Sequence, residues 1–266
     1  MTDHHKFYYP ALEKYYNVGL EKTVFITIDA DWAPDPILEG TFGWFLDHGI
    51  AFTTFMTHDS IVARRYEDHP LVEIGIHPDF SRESNSLECV QSLRNIYPRS
   101  IGSRSHKNIC GRDVIDALQA CGYIYDVSKL LWGISYAECT PLYTKMIEAP
   151  YIWEDGVHLE MKLAPKIKVI PLTTPGLKIL SIHPMLFYLN CTDDDQRKAA
   201  TSPFDDLTSA SLKDFEGARN SGRGIASFAK GALLEMKSSG FQFCLLRDMM
   251  LEAYQLSATE PVFEWS

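Results

Sequence analysis

The sequence predicts an α/β barrel in which parallel strands are wrapped by helices. Apolar runs with the composition of strands alternate about seven times with segments of helical periodicity, as in a parallel sheet with helical crossovers. The run at 23–29 is almost entirely β-branched and aromatic, which is typical of a strand buried on both faces. The chain has 266 residues, of which 45% are hydrophobic, without a Gly/Ser/Pro-rich linker or an internal repeat. We therefore expect one barrel domain over residues 1–266, with residues 1–22 as an N-terminal arm.

The predicted elements follow one another along the chain in a regular order. Strands are predicted at 23–29, 50–57, 71–76, 99–103, 123–126, 146–153, 177–182 and 241–246. Helices are predicted at 36–48, 60–68, 86–95, 111–121, 207–220, 225–238 and 247–256.

Local signals mark several of these boundaries. Pro36 suits the first turn of a helix, Asp59 or Ser60 suits an N-cap, and Gly122 suits a C-terminal cap. The segment between the strands at 146–153 and 177–182 has no clear period, so we expect a hairpin or an irregular insert there. The segment DDDQRKAATSPFDD is expected to be an acidic loop.

The net charge of −10 argues against nucleic acid or an anionic membrane as a partner, because both call for a basic surface. It does not exclude a small anionic substrate, which a local Arg or Lys can bind. The six cysteines are scattered without a CxxC pair, which indicates reduced thiols rather than a disulfide framework. We see no signal peptide and no apolar stretch of about 20 residues, so we expect a cytoplasmic protein without a transmembrane segment. A homo-oligomer is left open.

Polar side chains follow five of the predicted strands, at the point where each strand ends. They are Asp29 and Asp31, His58, His77, Arg104 and His106, and His183. In a barrel the carboxyl ends of parallel strands form one rim, where catalytic groups gather. Carboxylates and imidazoles together are the composition of a divalent metal site with a proton-transfer pair. The sequence therefore predicts a hydrolytic metalloenzyme.

Each of these signals also has a structural interpretation. Asp29 and Asp31 share one face of an extended chain and would repel each other unless a cation or proton separates them, but such a pair is also common in solvated turns. His77 and His183 both stand between Ile and Pro, which stiffens the backbone around the imidazole. A lone histidine after a strand is, however, more often structural than a ligand.

The segment Arg104-Ser105-His106 combines a guanidinium that can orient a carboxylate or bind an anion with an imidazole, although a polar surface turn is an equal alternative. The remaining candidates for the rim of the site, or for residues that support it, are His58, Trp32, Trp153, Glu154 and Asp155.

The ordered motifs resemble a known family. TIDADW, EIGIHP, RSIGSRSH and LSIHP resemble, in order and spacing, the motifs of the polysaccharide deacetylases with NodB homology, and the resemblance extends over residues 23–250. DADWAPDPIL, IGIHPDF and YIWED are further similar to the WbmS-like branch, found among bacterial surface-polysaccharide genes. The resemblance implies an irregular (β/α)7 barrel that removes N- or O-acyl groups from sugars with the help of a divalent metal.

The resemblance also implies a role for each matching residue. Asp31 and His77 would be metal ligands and Asp29 the general base. Arg104 would orient that base, and His183 would be the general acid.

One position departs from the family pattern. The family has a second histidine four residues after the first, and this chain has Ser81 there. Either another residue completes the metal site or the metal is lost. We expect His106 to be the third ligand because its strand lies next to that of His77, and His58 is the second choice.

These observations predict a metal-dependent hydrolase that removes an N-acetyl or N-formyl group from a sugar, in the synthesis of a bacterial surface-polysaccharide precursor. The substrate would be an acylamino-sugar or a sugar nucleotide. The expected cofactor is one divalent ion, zinc first, with iron, cobalt, nickel and manganese left open. Two alternatives remain: a catalytically inactive sugar-binding or scaffold barrel, and a metal-dependent amidohydrolase acting on a non-sugar amide.

Overall fold

The structure is a computed structural model that describes residues 10–18, 22–82, 85–132, 134 and 136–259. Its strands are β1 Thr23–Asp29, β2 Phe52–Met56, β3 Val72–Ile76, β4 Gly102–Ser103, β5 Tyr125–Asp126, β6 Thr140–Pro141, β7 Ile147–Glu148, β8 Trp153–Glu154, β9 Ile179–Ile182 and β10 Gln242–Cys244. Its α-helices are α1 Asp35–Asp47, α2 Ile61–Tyr66, α3 Ser86–Ile96, α4 Arg112–Ala120, α5 Asp155–Glu160, α6 Pro184–Leu189, α7 Asp194–Thr201, α8 Leu212–Phe215, α9 Ile225–Ser238 and α10 Leu246–Thr259. Short 3-10 helices lie at Pro10–Tyr15, His106–Asn108, Ile167–Val169, Leu207–Ser209 and Glu216–Ala218.

The strands form one curled sheet in the order β6-β7-β5-β4-β3-β2-β1-β9-β8, and β10 pairs with the start of β1. Every pairing is parallel except that of β6 with β7. Helices cover the outside of the sheet, as expected for parallel strands joined by crossovers. Every residue of β1 is buried, which confirms the prediction of a strand covered on both faces.

The stretch 147–154 joins the two ends of the curled sheet. Its β7 end pairs with β5, its β8 end pairs with β9, and between them Tyr151 forms a parallel bridge with Leu130. If this stretch is counted as one strand, it forms an irregular barrel of seven parallel strands together with β1–β5 and β9. The predicted irregular (β/α)7 barrel is confirmed.

Local chemistry explains several helix boundaries. The Ser60 side chain accepts a hydrogen bond from the backbone N–H of Ala63, so Ser60 caps α2. Gly122 follows α4 with a φ of +80°, which suits a residue without a β-carbon. Both positions match the predicted caps.

Two segments in the last third of the chain differ from the prediction. The expected acidic loop at 193–206 contains helix α7, which Asp193 caps by accepting a hydrogen bond from the backbone N–H of Gln196. Its acidic residues occupy the first turn, where they favour a helix. The single helix expected at 207–220 is instead broken into three short pieces, because Ser211 and Asp214 form a capping box that starts a new helix.

The expected N-terminal arm at 1–22 lies partly outside the described residues. In its described part, Leu12 and Tyr16 are fully buried, and the Tyr16 hydroxyl accepts a hydrogen bond from the backbone N–H of Cys139. This part of the arm therefore packs against the barrel. The assignment of residues 1–266 to a single domain stays a prediction. Among the described helices, none combines the length and apolar character needed to cross a membrane.

Candidate active site

Six of the predicted site residues line one cavity at the carboxyl ends of the strands. The cavity has a volume of about 440 Å³, within the range of small-molecule sites. The predicted residues on its wall are Asp29, Asp31, His77, His106, Glu154 and His183. Residues from β1, β3, β4 and β9 thus meet at one rim, although 154 positions separate the first from the last.

Asp31 holds the centre of a three-residue cluster. Its Oδ1 lies 3.2 Å from Nε2 of His77 and 3.1 Å from Nδ1 of His106. One potential ligand atom from each residue lies within 4.8 Å of the others, and this is the group with metal-binding geometry among the described residues. Asp31 and Trp32 both adopt a left-handed backbone, with φ of +44° and +57°, a conformation that is uncommon outside glycine. This strained turn after β1 is what directs the Asp31 carboxylate to the two imidazoles.

Hydrogen bonding prepares His77 to bind a cation. Its Nδ1 lies 2.7 Å from the carbonyl oxygen of Arg104, so Nδ1 carries the proton and donates it. Nε2 faces Asp31 and would offer its lone pair to a cation once it has lost its proton. Burial alone would lower the pKa of His77, but the Asp29 and Asp31 carboxylates outweigh it and raise that pKa.

The donor set suits a divalent ion. Burial would raise the pKa of Asp31, but hydrogen bonds from His106 and His77 hold it well below its usual range, so the carboxylate is ionised. One carboxylate oxygen and two imidazole nitrogens are ligands that zinc and the neighbouring transition metals accept. The cluster therefore fits the metal that the sequence predicts.

Arg104 fixes the second carboxylate of the site. Its Nη1 donates to Oδ1 of Asp29 at 2.9 Å and to the hydroxyls of Thr27 and Ser181 at 2.7 and 2.8 Å. The Ser181 hydroxyl in turn donates to Oδ2 of Asp29 at 3.2 Å. The side chains of Arg104 and Asp29 are 1% and 5% exposed, so this ion pair is shielded from solvent and holds Asp29 in one orientation.

Two aromatic rings enclose the Arg104 guanidinium. The ring centres of Phe55 and Tyr151 lie 5.0 and 4.2 Å from its Cζ. The Arg104 Nε donates to the carbonyl oxygen of Val127 at 2.9 Å. The guanidinium is therefore fixed by contacts on several sides, and its interaction with Asp29 does not depend on a bound substrate.

His183 forms a pair with Asp155. Its Nδ1 lies 2.6 Å from Oδ1 of Asp155, and its backbone N–H donates to Oδ2 of the same carboxylate at 2.9 Å. Burial would lower the pKa of His183, but Asp155 and Asp31 outweigh it and raise that pKa well above its usual value. The imidazolium Nε2 lies 3.9 Å from Asp29 and 3.7 Å from Asp31. A proton donor therefore faces the candidate metal site.

The other predicted candidates take different positions. His58 lies outside the cluster and contacts Thr57 through Nδ1 at 2.9 Å. Trp153 is buried and donates to Nδ1 of His158, away from the cavity wall. Trp32 lies edge-on to the His106 ring at 4.9 Å. Glu154 lines the cavity.

The position of Ser81 explains how His106 reaches the cluster. The Ser81 hydroxyl and backbone N–H both donate to Oδ1 of Asp79, at 2.5 and 3.0 Å, and hold the turn after His77. The backbone N–H of His106 donates to the carbonyl oxygen of Pro78 in that turn, at 3.0 Å. β3 and β4 are neighbours in the sheet, as predicted.

Sequence reasoning missed the residues that α7 brings to the cavity. Arg197 and Lys198 line its wall, but they lie in the segment that was expected to be an acidic loop. The capping pattern of three aspartates before Gln196 is the signal that could have revealed the helix. Tyr151 and Ser181, which contact Arg104, sit on predicted strands and carry no motif.

The curled parallel barrel, with its carboxylates and imidazoles at the carboxyl ends of the strands, defines a NodB-like α/β barrel protein. The chain belongs to the WbmS-like polysaccharide deacetylase family, whose model matches residues 26–201. The predicted resemblance is thereby confirmed.

One solved structure shares the fold, and two others are more distantly similar. WbmS of Bordetella bronchiseptica, described as a polysaccharide deacetylase involved in O-antigen biosynthesis, superposes with a TM-score of 0.72 at 22% identity, over 81% of this chain and 90% of that one. A CE4 family pseudoenzyme from Bacillus anthracis gives 0.48 at 11% identity, over 86% and 66% of the two chains. A xylanase CE4 domain from the hindgut metagenome of Trinervitermes trinervoides also gives 0.48 at 11% identity, over 92% and 96%. Among curated proteins, none matches this chain.

Proposed function

We propose that this protein is a metal-dependent hydrolase that removes an N-acetyl or N-formyl group from an acylamino-sugar. The observation that carries the proposal is that one cavity contains a metal-type cluster, a carboxylate fixed by Arg104 and a histidine fixed by Asp155. Family membership supports a sugar substrate and deacylation. The described role of WbmS supports a precursor of a bacterial surface polysaccharide.

Asp31, His77 and His106 would hold the ion, for which zinc is our first choice. When bound there, a divalent ion would polarise the acyl carbonyl and lower the pKa of water. Asp29 would take a proton from the attacking water, and Arg104 would keep its carboxylate oriented during that transfer.

His183 would complete the reaction by giving a proton to the departing amine. Without such a donor the amine would have to leave as an anion, which is very unfavourable. The Asp155 carboxylate favours the protonated imidazole and holds Nε2 toward the cavity. The general base and the general acid, which lie 3.9 Å apart, would thus both act on the scissile amide.

The test is release of acetate or formate from a panel of acylamino-sugars, with metal content measured on the same samples. We expect Asp29→Asn and His183→Ala to keep the metal and to lose roughly 10²–10⁴-fold in rate, the contribution of a general acid or base. Near-normal turnover by either metal-loaded variant would refute the mechanism. Failure of the wild-type protein on every sugar would favour an inactive binding barrel or a non-sugar amide as substrate.

A further inference from the structure

Helix α7 forms a basic wall on one side of the catalytic cavity. Asp194, Arg197, Lys198 and Thr201 from this helix line the same space as Asp31 and His183. Lys107, from the turn after β4, also lines the cavity. The net charge of the chain is −10, so a group of cations that faces the candidate site departs from the acidic character of the chain as a whole.

Ion pairs within α7 hold Arg197 and Lys198. The Asp194 carboxylate, whose side chain is only 11% exposed, lies 2.6 Å from Nε of Arg197 and 2.8 Å from Nζ of Lys198. One carboxylate therefore serves two cations and leaves a net positive charge. Within the described part of the chain, the two terminal amino groups of Arg197 make no hydrogen bond. They remain available to a ligand.

The position of Arg197 connects this wall to the reacting groups. Its side chain is 34% exposed, so it borders the cavity rather than bulk solvent alone. Burial lowers the pKa of Arg197, while Asp194 and, to a smaller extent, Asp31 raise it, so the guanidinium stays charged. α7 packs against α5 and α6, the helices that begin at Asp155 and directly after His183.

We propose that Arg197 and Lys198 form an anion subsite, so that the substrate is an acylamino-sugar that also carries a phosphate or a carboxylate. This inference rests on the proposed function and narrows its substrate class to acylamino-sugars that carry an anionic group. A guanidinium with both terminal amino groups free binds an oxyanion through two parallel hydrogen bonds. The ammonium of Lys198 adds a point charge on the same side.

The first experiment compares four matched substrates: an N-acetylhexosamine, its 1-phosphate, its nucleoside diphosphate ester and its 6-carboxylate. We expect Arg197→Gln to raise KM for the charged substrates by roughly tenfold to a hundredfold, the effect of losing hydrogen bonds to a charged group. kcat should change little, and kinetics on the neutral sugar should stay as in the wild type. A larger effect on the phosphates than on the 6-carboxylate would identify phosphate as the anion.

The matched control is Arg64→Gln, because Arg64 forms an exposed ion pair with Asp59 outside the cavity. This variant should behave like the wild type on all four substrates. If Arg197→Gln and Lys198→Gln both keep the wild-type KM for the charged sugars, the anion subsite is refuted and the proposed deacylation stands.

A second measurement separates the subsite from the reaction. Calorimetric binding of uridine diphosphate to the wild type and to Arg197→Gln needs no turnover, and the contribution of any metal contact is common to both proteins. Weaker binding by the variant would support the subsite even if no sugar were hydrolysed. Equal binding of uridine diphosphate by the two proteins would exclude phosphate as the anion, and an unchanged KM for the 6-carboxylate as well would overturn the subsite.

Discussion

Asp31 is the residue on which the metal-type cluster depends, because one of its oxygens faces both imidazoles. We predict that Asp31→Ala and His77→Ala leave the barrel folded but remove stoichiometric metal, since each loses one of only three protein ligands. The measurement is elemental analysis after dialysis, with circular dichroism to verify the fold. Stoichiometric metal in either variant would show that the substituted residue is not a ligand.

His106 and His58 provide a matched comparison. His106 contacts Asp31, whereas His58 lies outside the cluster and burial lowers the pKa of its imidazole. We therefore expect His106→Ala to lose metal on dialysis and His58→Ala to retain it. The opposite result, metal kept without His106 and lost without His58, would reverse the assignment of the third ligand.

The Asp155–His183 pair predicts a shift in the pH dependence of the reaction. Burial lowers the pKa of His183, and the Asp155 carboxylate is the largest influence that raises it. Asp155→Asn removes that negative charge, so the pKa of His183 should fall. The general acid would then lose its proton at a lower pH.

The alkaline limb of the kcat/KM profile should therefore move to lower pH in Asp155→Asn. The control is Asp68→Asn, because the Asp68 side chain is 83% exposed and its ion pair is with Arg99. An unchanged alkaline limb in Asp155→Asn would argue against His183 as the proton donor that Asp155 supports.

The sequence was informative about residues that end strands and uninformative about their partners. Asp29, His77 and His183 could be predicted because each follows an apolar run, and the fold brings such ends together. Asp155 could be named only as a candidate, because it lies 28 positions before His183 and the intervening sequence carries no pattern that relates the two. Their pairing depends on β8 lying beside β9, a fact of the folded chain.

Strand β4 is short and tightly packed against β5, which makes its glycine testable. A β-carbon on Gly102 would lie about 1.9–2.4 Å from atoms of the Tyr125 ring and hydroxyl. Tyr125 cannot move freely because its hydroxyl donates to Oε1 of buried Glu73 at 2.6 Å. We expect Gly102→Ala to reduce the free energy of unfolding by about 1–3 kcal/mol, as measured by urea denaturation.

The control for Gly102 is Gly43, which lies inside helix α1. A β-carbon there meets no atom within 4 Å among those described. Gly43→Ala should leave the free energy of unfolding unchanged or increase it by up to about 1 kcal/mol, because alanine favours a helix. Equal urea midpoints for the two variants would contradict the close packing of β4 on β5.

Burial decided which elements the sequence could reveal. β1 and α9 carry clear apolar patterns and were placed within a residue of their observed ends. Helix α7 buries none of its residues, so it has no apolar stripe to detect. The signals left in its sequence are a cap and acid–base pairs, which have the composition of a solvated loop.

The whole barrel should survive removal of the metal. The cluster lies at the rim, whereas the core consists of apolar side chains from the strands and the covering helices. We expect chelation to abolish deacylation while the circular dichroism spectrum stays native, and we expect added zinc to restore activity.

The melting temperature should rise with zinc, since a ligand at about 100 times its Kd stabilises the folded state by about 2.7 kcal/mol. Unfolding on chelation would show that the metal is structural.

The barrel should open more easily along the stretch 147–154 than along β1. Between β7 and β8 the closure depends on the Leu130–Tyr151 bridge and on the backbone N–H groups of Tyr151 and Leu131, whereas β1 is paired along its length. Amide hydrogens at this joint should therefore exchange with deuterium well before those of β1. Tyr151 and Glu154 also line the cavity. Local opening of the stretch 147–154 would therefore widen the entrance of the cavity without disturbing the rest of the barrel.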